Sequence, residues 1–432
     1  MSQYTTDIPR RQKKLYGPVM TDEMYQRYLD GLERHPALVA DNVNLPGATA
    51  ARWVRPLLIA GAVLLVATFL GIFINGGLAG APAVGLRHAV AAYSVGAFFV
   101  LSCCLGSLFF LMLFQLLNAH WSVTLRRVME AVAAQMPFAV ALLIPMLAVE
   151  LLFDGVLLSW IGAEPNHLLE VKAPYLNIGF FIVRFLIYAA CWLYLSARLV
   201  ALSREQDTTG DRMLTRQMRR TSGWGMLVFA LTVAFAGFDY LMSMDYRFFS
   251  TMWGVYFFSI CALAALSLTA VLAGALRIVG RLNGLVTAEH FHDLGKLVFA
   301  FVVFWAYIAF SQYFLIWYSN IPEETAYYLY RKSGGWQVLS ALLVVGHFII
   351  PFFLLVTRLT KRSTLALMAI SVWILFFCVL DFVWIIRPMV HAGLAPQDVP
   401  GPASWWLDVV AVAGLVSLFL GLVVRRLAAA PL

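Results

Sequence analysis

The 21 residues from Leu297 to Trp317 are LVFAFVVFWAYIAFSQYFLIW, and none of them is charged. A helix of about 20 predominantly apolar residues is long enough to cross the hydrocarbon core of a membrane. This stretch therefore predicts a membrane-spanning helix. Polar residues flank it on both sides, with HFHDLGK from residue 290 and YSNIPEET from residue 318.

The composition extends this prediction to the whole chain. Hydrophobic residues make up 62% of the 432 residues and charged residues 12%, whereas soluble domains have about 25% charged residues. We therefore expect a polytopic, all-α membrane protein. The sequence pI is about 9.3, but the basic residues lie between the apolar stretches, which argues against a nucleic-acid partner. We expect no signal peptide, because the first fifty residues are mostly polar.

We predict ten membrane spans after an N-terminal segment. Residues 1–50 form a cytoplasmic segment with a short amphipathic helix from Thr21 to about Arg34, and residues 51–432 form the membrane domain. Of the 31 Lys and Arg residues, 23 lie on one side of this topology and six on the other. The positive-inside rule then places both termini in the cytoplasm. The predicted spans are 55–75, 89–117, 128–153, 174–201, 223–244, 250–276, 296–319, 335–357, 364–386 and 404–424.

A weak internal repeat groups these spans. Similar residues recur four spans apart, as in GAFF from residue 96 and GVYF from residue 254. Asp239 near the outer end of span 5 corresponds to Asp381 in span 9. We predict two tandem four-helix bundles, formed by spans 2–5 and 6–9, with spans 1 and 10 flanking them. An even number of spans per repeat gives both copies the same orientation in the membrane.

Several titratable residues fall inside the predicted spans. A charged group within a bilayer is costly and therefore faces protein or water. Arg184 needs an acidic partner, for which Glu150 and Asp239 are the candidates. These three residues either lock spans 3, 4 and 5 together as a buried ion pair or belong to a proton path. Asp381 either pairs near the membrane surface or exchanges protons, and His347, one turn before Pro351, is either a neutral structural histidine or part of a proton path.

The helix from residue 296 also has a polar face. Asp293, Lys296, Tyr307, Ser311 and Tyr318 share it at helical spacing. These groups either hydrogen-bond to neighbouring helices or belong to a proton or quinol pathway. Trp305 and Trp317 belong to an aromatic group that suits either an interfacial belt or a slot for a quinone ring. At the outer side, we expect partner docking or loop ordering from four residues: Asp245, Arg247, Glu323 and Glu324.

The cysteines and histidines indicate that the chain carries no redox centre or metal of its own. Its five cysteines lie in predicted spans without a C-x-x-C spacing, which argues against iron–sulfur, zinc and c-type haem sites. Only His347 of the eight histidines is predicted to lie deep in a span, so a b-type haem with two facing histidines is not expected.

The motif around span 7 resembles a known family. The segments HFHDLGK from residue 290, FWAY from residue 304 and FSQYFLIWYSNIPEET from residue 310 are similar to the ActF subunits of bacterial alternative complex III. Residues 50–425 resemble the NrfD/polysulfide-reductase membrane-subunit fold. By match to the motif, functional weight falls on Asp293, Lys296, Tyr307, Gln312, Tyr318 and Glu323, with Gln312 as a quinone contact.

The resemblance implies a place in a respiratory complex of the bacterial inner membrane. Such complexes oxidise menaquinol or ubiquinol and pass electrons to iron–sulfur and c-haem subunits, or onward to a terminal oxidase. This subunit would pair with a larger NrfD-like paralogue, ActC, and would carry no cofactor. Its expected role is proton translocation or quinone contact. A purely structural subunit of the same complex and a stand-alone secondary transporter remain as alternatives.

Overall fold

The computed structural model describes residues 37–78, 82–391 and 404–431. The predicted helix from Thr21 to Arg34 lies outside the described residues. Within them, ten helical segments are long and apolar enough to cross a membrane, which confirms the prediction of an all-α integral membrane protein with about ten spans. We label them α1 to α10 in chain order.

Eight of the ten helices are continuous or nearly so, and two are assembled from shorter pieces. The continuous ones are α1 (Gly47–Leu78), α2 (Pro82–Leu117), α4 (Ile178–Thr209), α5 (Arg212–Tyr240), α6 (Trp253–Ile278), α7 (Ala288–Ser319), α9 (Thr364–Ile386) and α10 (Trp405–Leu427). The composite ones are α3 (Val123–Ala133 and Met136–Leu152) and α8 (Trp336–Leu342, Leu343–Ile349 and Ile350–Val356). Short helices lie between them at His167–Lys172, Pro322–Tyr330, Arg358–Arg362 and elsewhere.

Helices α2 to α5 and α6 to α9 each form a ring. Consecutive helices within each ring pack together, and the last helix of each ring packs against the first. The two rings meet through α2 and α6. Gly106 permits this close approach, because a Cβ at this position would lie 1.9 Å from the carbonyl oxygen of Cys261. Helices α1 and α10 pack against each other and against α2, so both flank the first ring.

The hairpin between α4 and α5 is longer than predicted. The predicted spans stop at 201 and begin again at 223, whereas α4 continues to Thr209 and α5 starts at Arg212. The turn has Gly210 in the left-handed conformation at φ +64°, and the Asp211 carboxylate accepts the Met213 N–H at 2.8 Å. Apolar periodicity cannot show these polar helical extensions, because they project beyond the hydrocarbon core.

Helix α8 changes from α-helical to π-helical winding just before Pro351. Residues Leu343–Ile349 form a π-helical segment immediately before Pro351. Proline has no backbone N–H and disturbs the hydrogen bonding of the preceding turn. The Gly346 carbonyl instead accepts the Trp373 indole N–H from α9 at 2.7 Å. Such π segments are frequent at functional sites, and this one contains His347.

Candidate functional site: a cavity in the second helix ring

A cavity of about 670 Å³ lies among α6, α7, α8, α9 and the short helix Pro322–Tyr330. This volume is within the range of about 300–1,000 Å³ that is typical of small-molecule sites. Its wall is mainly apolar and aromatic, with a few polar groups. The lining residues that matter below are Tyr256, Trp305, Gln312, Tyr328, Arg331 and Trp384.

The cavity is bordered by side chains that are exposed on the membrane-facing surface. Tyr307 and Phe310 of α7 line it and are exposed, as is Val344 of α8. An apolar ligand that is dissolved in the bilayer could therefore enter between α7 and α8 without crossing water. Lys332, also exposed, lines the cavity near the connection between the short helix Pro322–Tyr330 and α8.

A fully buried carboxylate lies behind the cavity wall. Asp381 of α9 accepts the Tyr256 hydroxyl at 2.5 Å and the Trp305 indole N–H at 2.7 Å. Among the described residues, Asp381 is in no ion pair with Lys or Arg; the nearest basic group is His347, whose Nδ1 is 4.0 Å from Asp381 Oδ2. An ionised carboxylate without a cation is costly in such a place. Asp381 is therefore suited to accept or release a proton.

His347 lies next to the same carboxylate and is fully buried. Its ring is 4.1 Å from the Trp305 ring, centroid to centroid, and its Nε2 is 3.7 Å from Cys378 Sγ. The Nδ1 atom has no hydrogen-bond partner among the described residues. The structure thus brings together two predicted proton-path residues, His347 and Asp381, with the predicted quinone contact Trp305.

Gln312 presents an unused acceptor at the cavity. Its Nε2 donates to the Tyr328 hydroxyl at 3.2 Å, while its buried Oε1 has no partner among the described residues. Leaving a buried polar atom unpaired costs about 1–3 kcal/mol. A ligand with an O–H or N–H group would satisfy this oxygen, so Gln312 is placed to orient such a ligand.

Arg331 closes one end of the cavity. Its guanidinium donates to the carbonyls of Tyr327, Trp384 and Ile385 at 2.7–2.9 Å, and it stacks 3.4 Å from the Tyr327 ring centroid. Burial lowers the pKa of Arg331 from its ordinary value, and the nearby tyrosines act in the opposite direction. These contacts hold the short helix Pro322–Tyr330 against the end of α9 and so fix the position of the cavity wall that the two helices form.

The first ring uses its buried charge differently. Arg184 of α4 forms a two-pronged ion pair with Asp239 of α5, with N···O distances of 2.8 and 2.9 Å. Tyr188 donates to the same carboxylate at 2.7 Å. The third donor of Arg184 reaches the carbonyl of Tyr175, whose hydroxyl pKa is raised mainly by burial. Asp239 is thus fully paired, unlike its repeat counterpart Asp381.

Two other predicted residues have local structural contacts. Glu150 was the other candidate partner for Arg184. Its carboxylate accepts hydrogen bonds from the backbone N–H groups of Val156, Leu157 and Leu158 at 2.8–3.1 Å. Of the two candidate partners of Arg184, the structure pairs it with Asp239 and not with Glu150. Asp245 is buried and pairs at 3.0 Å with Arg247, which remains partly exposed.

The predicted polar stripe of α7 faces outward. Asp293 and Lys296 pair with each other at 2.6 Å, and Tyr307 and Tyr318 are 64% and 76% exposed. Trp305 and Gln312 lie on the opposite, buried face. The stripe is therefore available to lipid or to a partner, and Ser311 lies half-buried beside it. Trp317 is exposed and does not line the cavity. Glu324 is half-buried at the start of the short helix Pro322–Tyr330.

Sequence analysis missed three residues of importance here. Tyr256 appeared only within a repeat match, and Arg331 only as a loop charge, although its aromatic neighbours in the sequence were a signal. His88 was also missed: it is buried, its ring centroid is 5.6 Å from that of His391, and its Nδ1 contacts Arg387 at 3.0 Å. These contacts join residues that are far apart in sequence, so a single sequence could not show them.

No protein-family model matches the chain, and no curated protein matches it in sequence.

Proposed function

We propose that this chain is an integral membrane subunit of a quinol-oxidising respiratory complex of the alternative complex III type, and that its cavity holds the quinol ring. The observation that carries the proposal is the free Gln312 Oε1 in a mainly apolar cavity whose wall hydrogen-bonds to Asp381. The similarity of the span 7 motif to ActF subunits supports the same assignment.

The cavity matches the chemistry of a quinol. A quinol has a flat apolar ring with two hydroxyl groups, and its isoprenoid tail is soluble in lipid. One hydroxyl would donate to Gln312 Oε1, and the ring would pack against Trp305 and Tyr328, which line the cavity. The tail would pass between the exposed lining residues of α7 and α8 into the bilayer. Either menaquinol or ubiquinol satisfies these requirements.

The group of Tyr256, Asp381 and His347 supplies a proton path. Oxidation of a quinol to a quinone releases two electrons and two protons. The electrons would pass to iron–sulfur and c-haem centres in partner subunits, and onward to a terminal oxidase, because this chain is proposed to bind no redox cofactor. A proton would move through the Tyr256 hydroxyl to the Asp381 carboxylate, which receives that hydroxyl at 2.5 Å.

The outward face of α7 is the proposed contact with the paralogous NrfD-like subunit, ActC. It exposes Tyr307, Trp317 and Tyr318 together with the paired Asp293 and Lys296. Glu323, Glu324, Asp245 and Arg247 would help to dock the outer iron–sulfur and c-haem subunits. The complex would lie in the bacterial inner membrane, with both termini of this chain in the cytoplasm.

A structural role in the same complex is the second candidate, and one observation favours it. The Arg184–Asp239 pair is complete, with both carboxylate oxygens and the guanidinium satisfied within the chain. A closed pair of this kind holds helices together and offers no open site. We therefore assign a structural role to the first ring and quinol and proton chemistry to the second.

Variants of Gln312 separate these two functions. In the assembled complex, we expect Gln312→Leu to raise the quinol KM at least tenfold without loss of assembly, because a buried hydrogen bond of about 1.5 kcal/mol is lost. The control is Gln217→Leu, which changes an exposed glutamine of α5. An unchanged KM in Gln312→Leu would reject the cavity as the quinol site.

Mild-detergent purification of the tagged chain tests the complex itself. Stoichiometric c-haem and iron–sulfur spectra in the purified material would support the respiratory assignment. A pure single chain that binds a polar solute and brings no chromophore with it would instead favour a stand-alone transporter.

A further inference from the structure

A cluster of four arginines lies at the basic end of the first ring, far from the cavity. Arg126 and Arg127 are at the start of α3, Arg204 is near the end of α4, and Arg426 is near the end of α10. Two carboxylates accompany them. Glu130 pairs with Arg126 at 3.3 Å and with Arg127 at 2.7 Å, and Asp207 pairs with Arg127. We call this group the arginine cluster.

The carboxylates do not neutralise the arginine cluster. Four guanidinium groups and two carboxylates leave an excess of two positive charges. Arg426 is close enough to interact electrostatically with Arg204, Arg127 and Glu130. The Nε atoms of Arg204 and Arg426 are buried and have no hydrogen-bond partner among the described residues. Like charges repel, so an anion that accepts hydrogen bonds from these donors would stabilise the arrangement.

The place and chemistry of the cluster identify that anion. All four arginines lie at the helix ends on the side where most Lys and Arg residues of the chain are found. Basic pockets between membrane helices on that side are suited to the phosphate of an anionic lipid headgroup. Guanidinium groups also bind phosphate oxygens through paired hydrogen bonds. The cluster joins α3, α4 and α10, so a bound phosphate would hold a flanking helix to the first ring.

We propose that the arginine cluster binds the phosphate of an anionic phospholipid, with Arg204 and Arg426 as its free donors. This site is independent of the cavity and of the proposed quinol chemistry. The full chain, purified in detergent and stripped of lipid, should retain phosphatidylglycerol in preference to phosphatidylcholine, as measured by native mass spectrometry. Inorganic phosphate, added in a separate titration, distinguishes a lipid from free phosphate.

The test compares charge removal with charge retention. Arg204→Gln combined with Arg426→Gln should weaken phosphatidylglycerol binding roughly 30-fold. Arg204→Lys with Arg426→Lys should keep most of it. The control Arg425→Gln removes an exposed neighbouring arginine and should change binding little. Without lipid, the double Gln variant should unfold at the same temperature as the unmodified chain or higher, because two repelling cations are gone.

Several outcomes would overturn this assignment. Equal binding of phosphatidylglycerol by the unmodified chain and the folded double Gln variant would do so, and so would an equal loss in Arg425→Gln. Both lipids carry a phosphate, so retention of phosphatidylcholine as well as phosphatidylglycerol would show that the net negative charge of the headgroup is not selected. Binding of inorganic phosphate without retention of phosphatidylglycerol would assign the cluster to free phosphate and refute the lipid.

Discussion

At the scale of single residues, the two equivalent aspartates have opposite surroundings. Asp239 is held by Arg184 and Tyr188, whereas Asp381 is held by Tyr256 and Trp305. Two neutral donors stabilise a carboxylate less than a guanidinium does. The corresponding positions of the predicted repeat therefore hold an ion pair in one ring and a carboxylate that is bound by two neutral donors in the other.

The Arg184–Asp239 pair predicts a strong dependence of stability on both partners. We expect Arg184→Met alone to lower the free energy of unfolding by about 3–5 kcal/mol, because Asp239 is left as a buried unpaired charge. Adding Asp239→Leu should restore a large part of this loss. Reversible unfolding in mixed micelles measures both variants. A double variant that is no more stable than Arg184→Met would contradict the pairing.

Trp305 gives a second prediction at this scale. Trp305→Phe removes the indole donor to Asp381, and we expect a loss of about 1.5–3 kcal/mol in the free energy of unfolding, since the acceptor is a buried carboxylate. Trp317→Phe is the matched control on the same helix: Trp317 is exposed, and its replacement should change stability by less than about 0.5 kcal/mol. Equal effects of the two changes would show that the indole hydrogen bond is unimportant.

At the scale of elements, small residues decide which helices can touch. Gly106 of α2 lies against the Cys261 backbone of α6, and Gly346 of α8 lies against the Phe377 ring. A side chain at either position would need space that is already filled. Membrane helices use small residues in this way to bring their backbones close together.

Replacement of glycine by alanine should have opposite effects at Gly106, which lies where the two rings meet, and at Gly223, which has open space around it. Gly106→Ala should lower the free energy of unfolding by at least about 1–3 kcal/mol, because the new Cβ overlaps the Cys261 carbonyl. Gly223→Ala in α5 meets no atom within 4 Å and should stabilise the chain by about 0.5–1 kcal/mol, as in other helix interiors. Thermal unfolding in one detergent measures both. A stable Gly106→Ala would mean that α2 and α6 are further apart than described.

At the scale of the whole molecule, the ten spans among the described residues and the distribution of basic residues predict a topology that can be tested. Thr208, at the end of α4, and Gln337, at the start of α8, are exposed and belong to opposite sides of the predicted topology. The native cysteines are buried or half-buried, so an introduced cysteine can be labelled selectively.

We expect Gln337→Cys to react with a membrane-impermeant maleimide on intact spheroplasts, because the positive-inside rule places it outside. Thr208→Cys should react only after the membrane is permeabilised. The fraction of chain modified, measured by a gel-mobility shift, is the readout. The reverse pattern would refute the cytoplasmic location of the termini.

The number and approximate position of the spans were determined by the sequence alone. Apolar runs such as residues 297–317 are local, and a bilayer requires each run to be helical and long enough to cross it. The need of Arg184 for an acidic partner was equally clear, because the cost of a buried charge depends on the residue type. The resemblance of the span 7 motif directed attention to Gln312 and the group of aromatic residues directed it to Trp305, and the structure places both at one cavity.

Only the tertiary structure decided which polar groups meet. In the structure, Arg184 pairs with Asp239 and not with Glu150, and the α7 stripe that contains Asp293 and Lys296 faces outward. The tertiary structure also placed Tyr256 and Trp305 on Asp381, from helices 125 and 76 residues away in the chain. The energy of a hydrogen bond or ion pair depends on distances of a few ångströms across helices. Those distances arise from packing of all the helices together, and a pattern along one helix does not contain them.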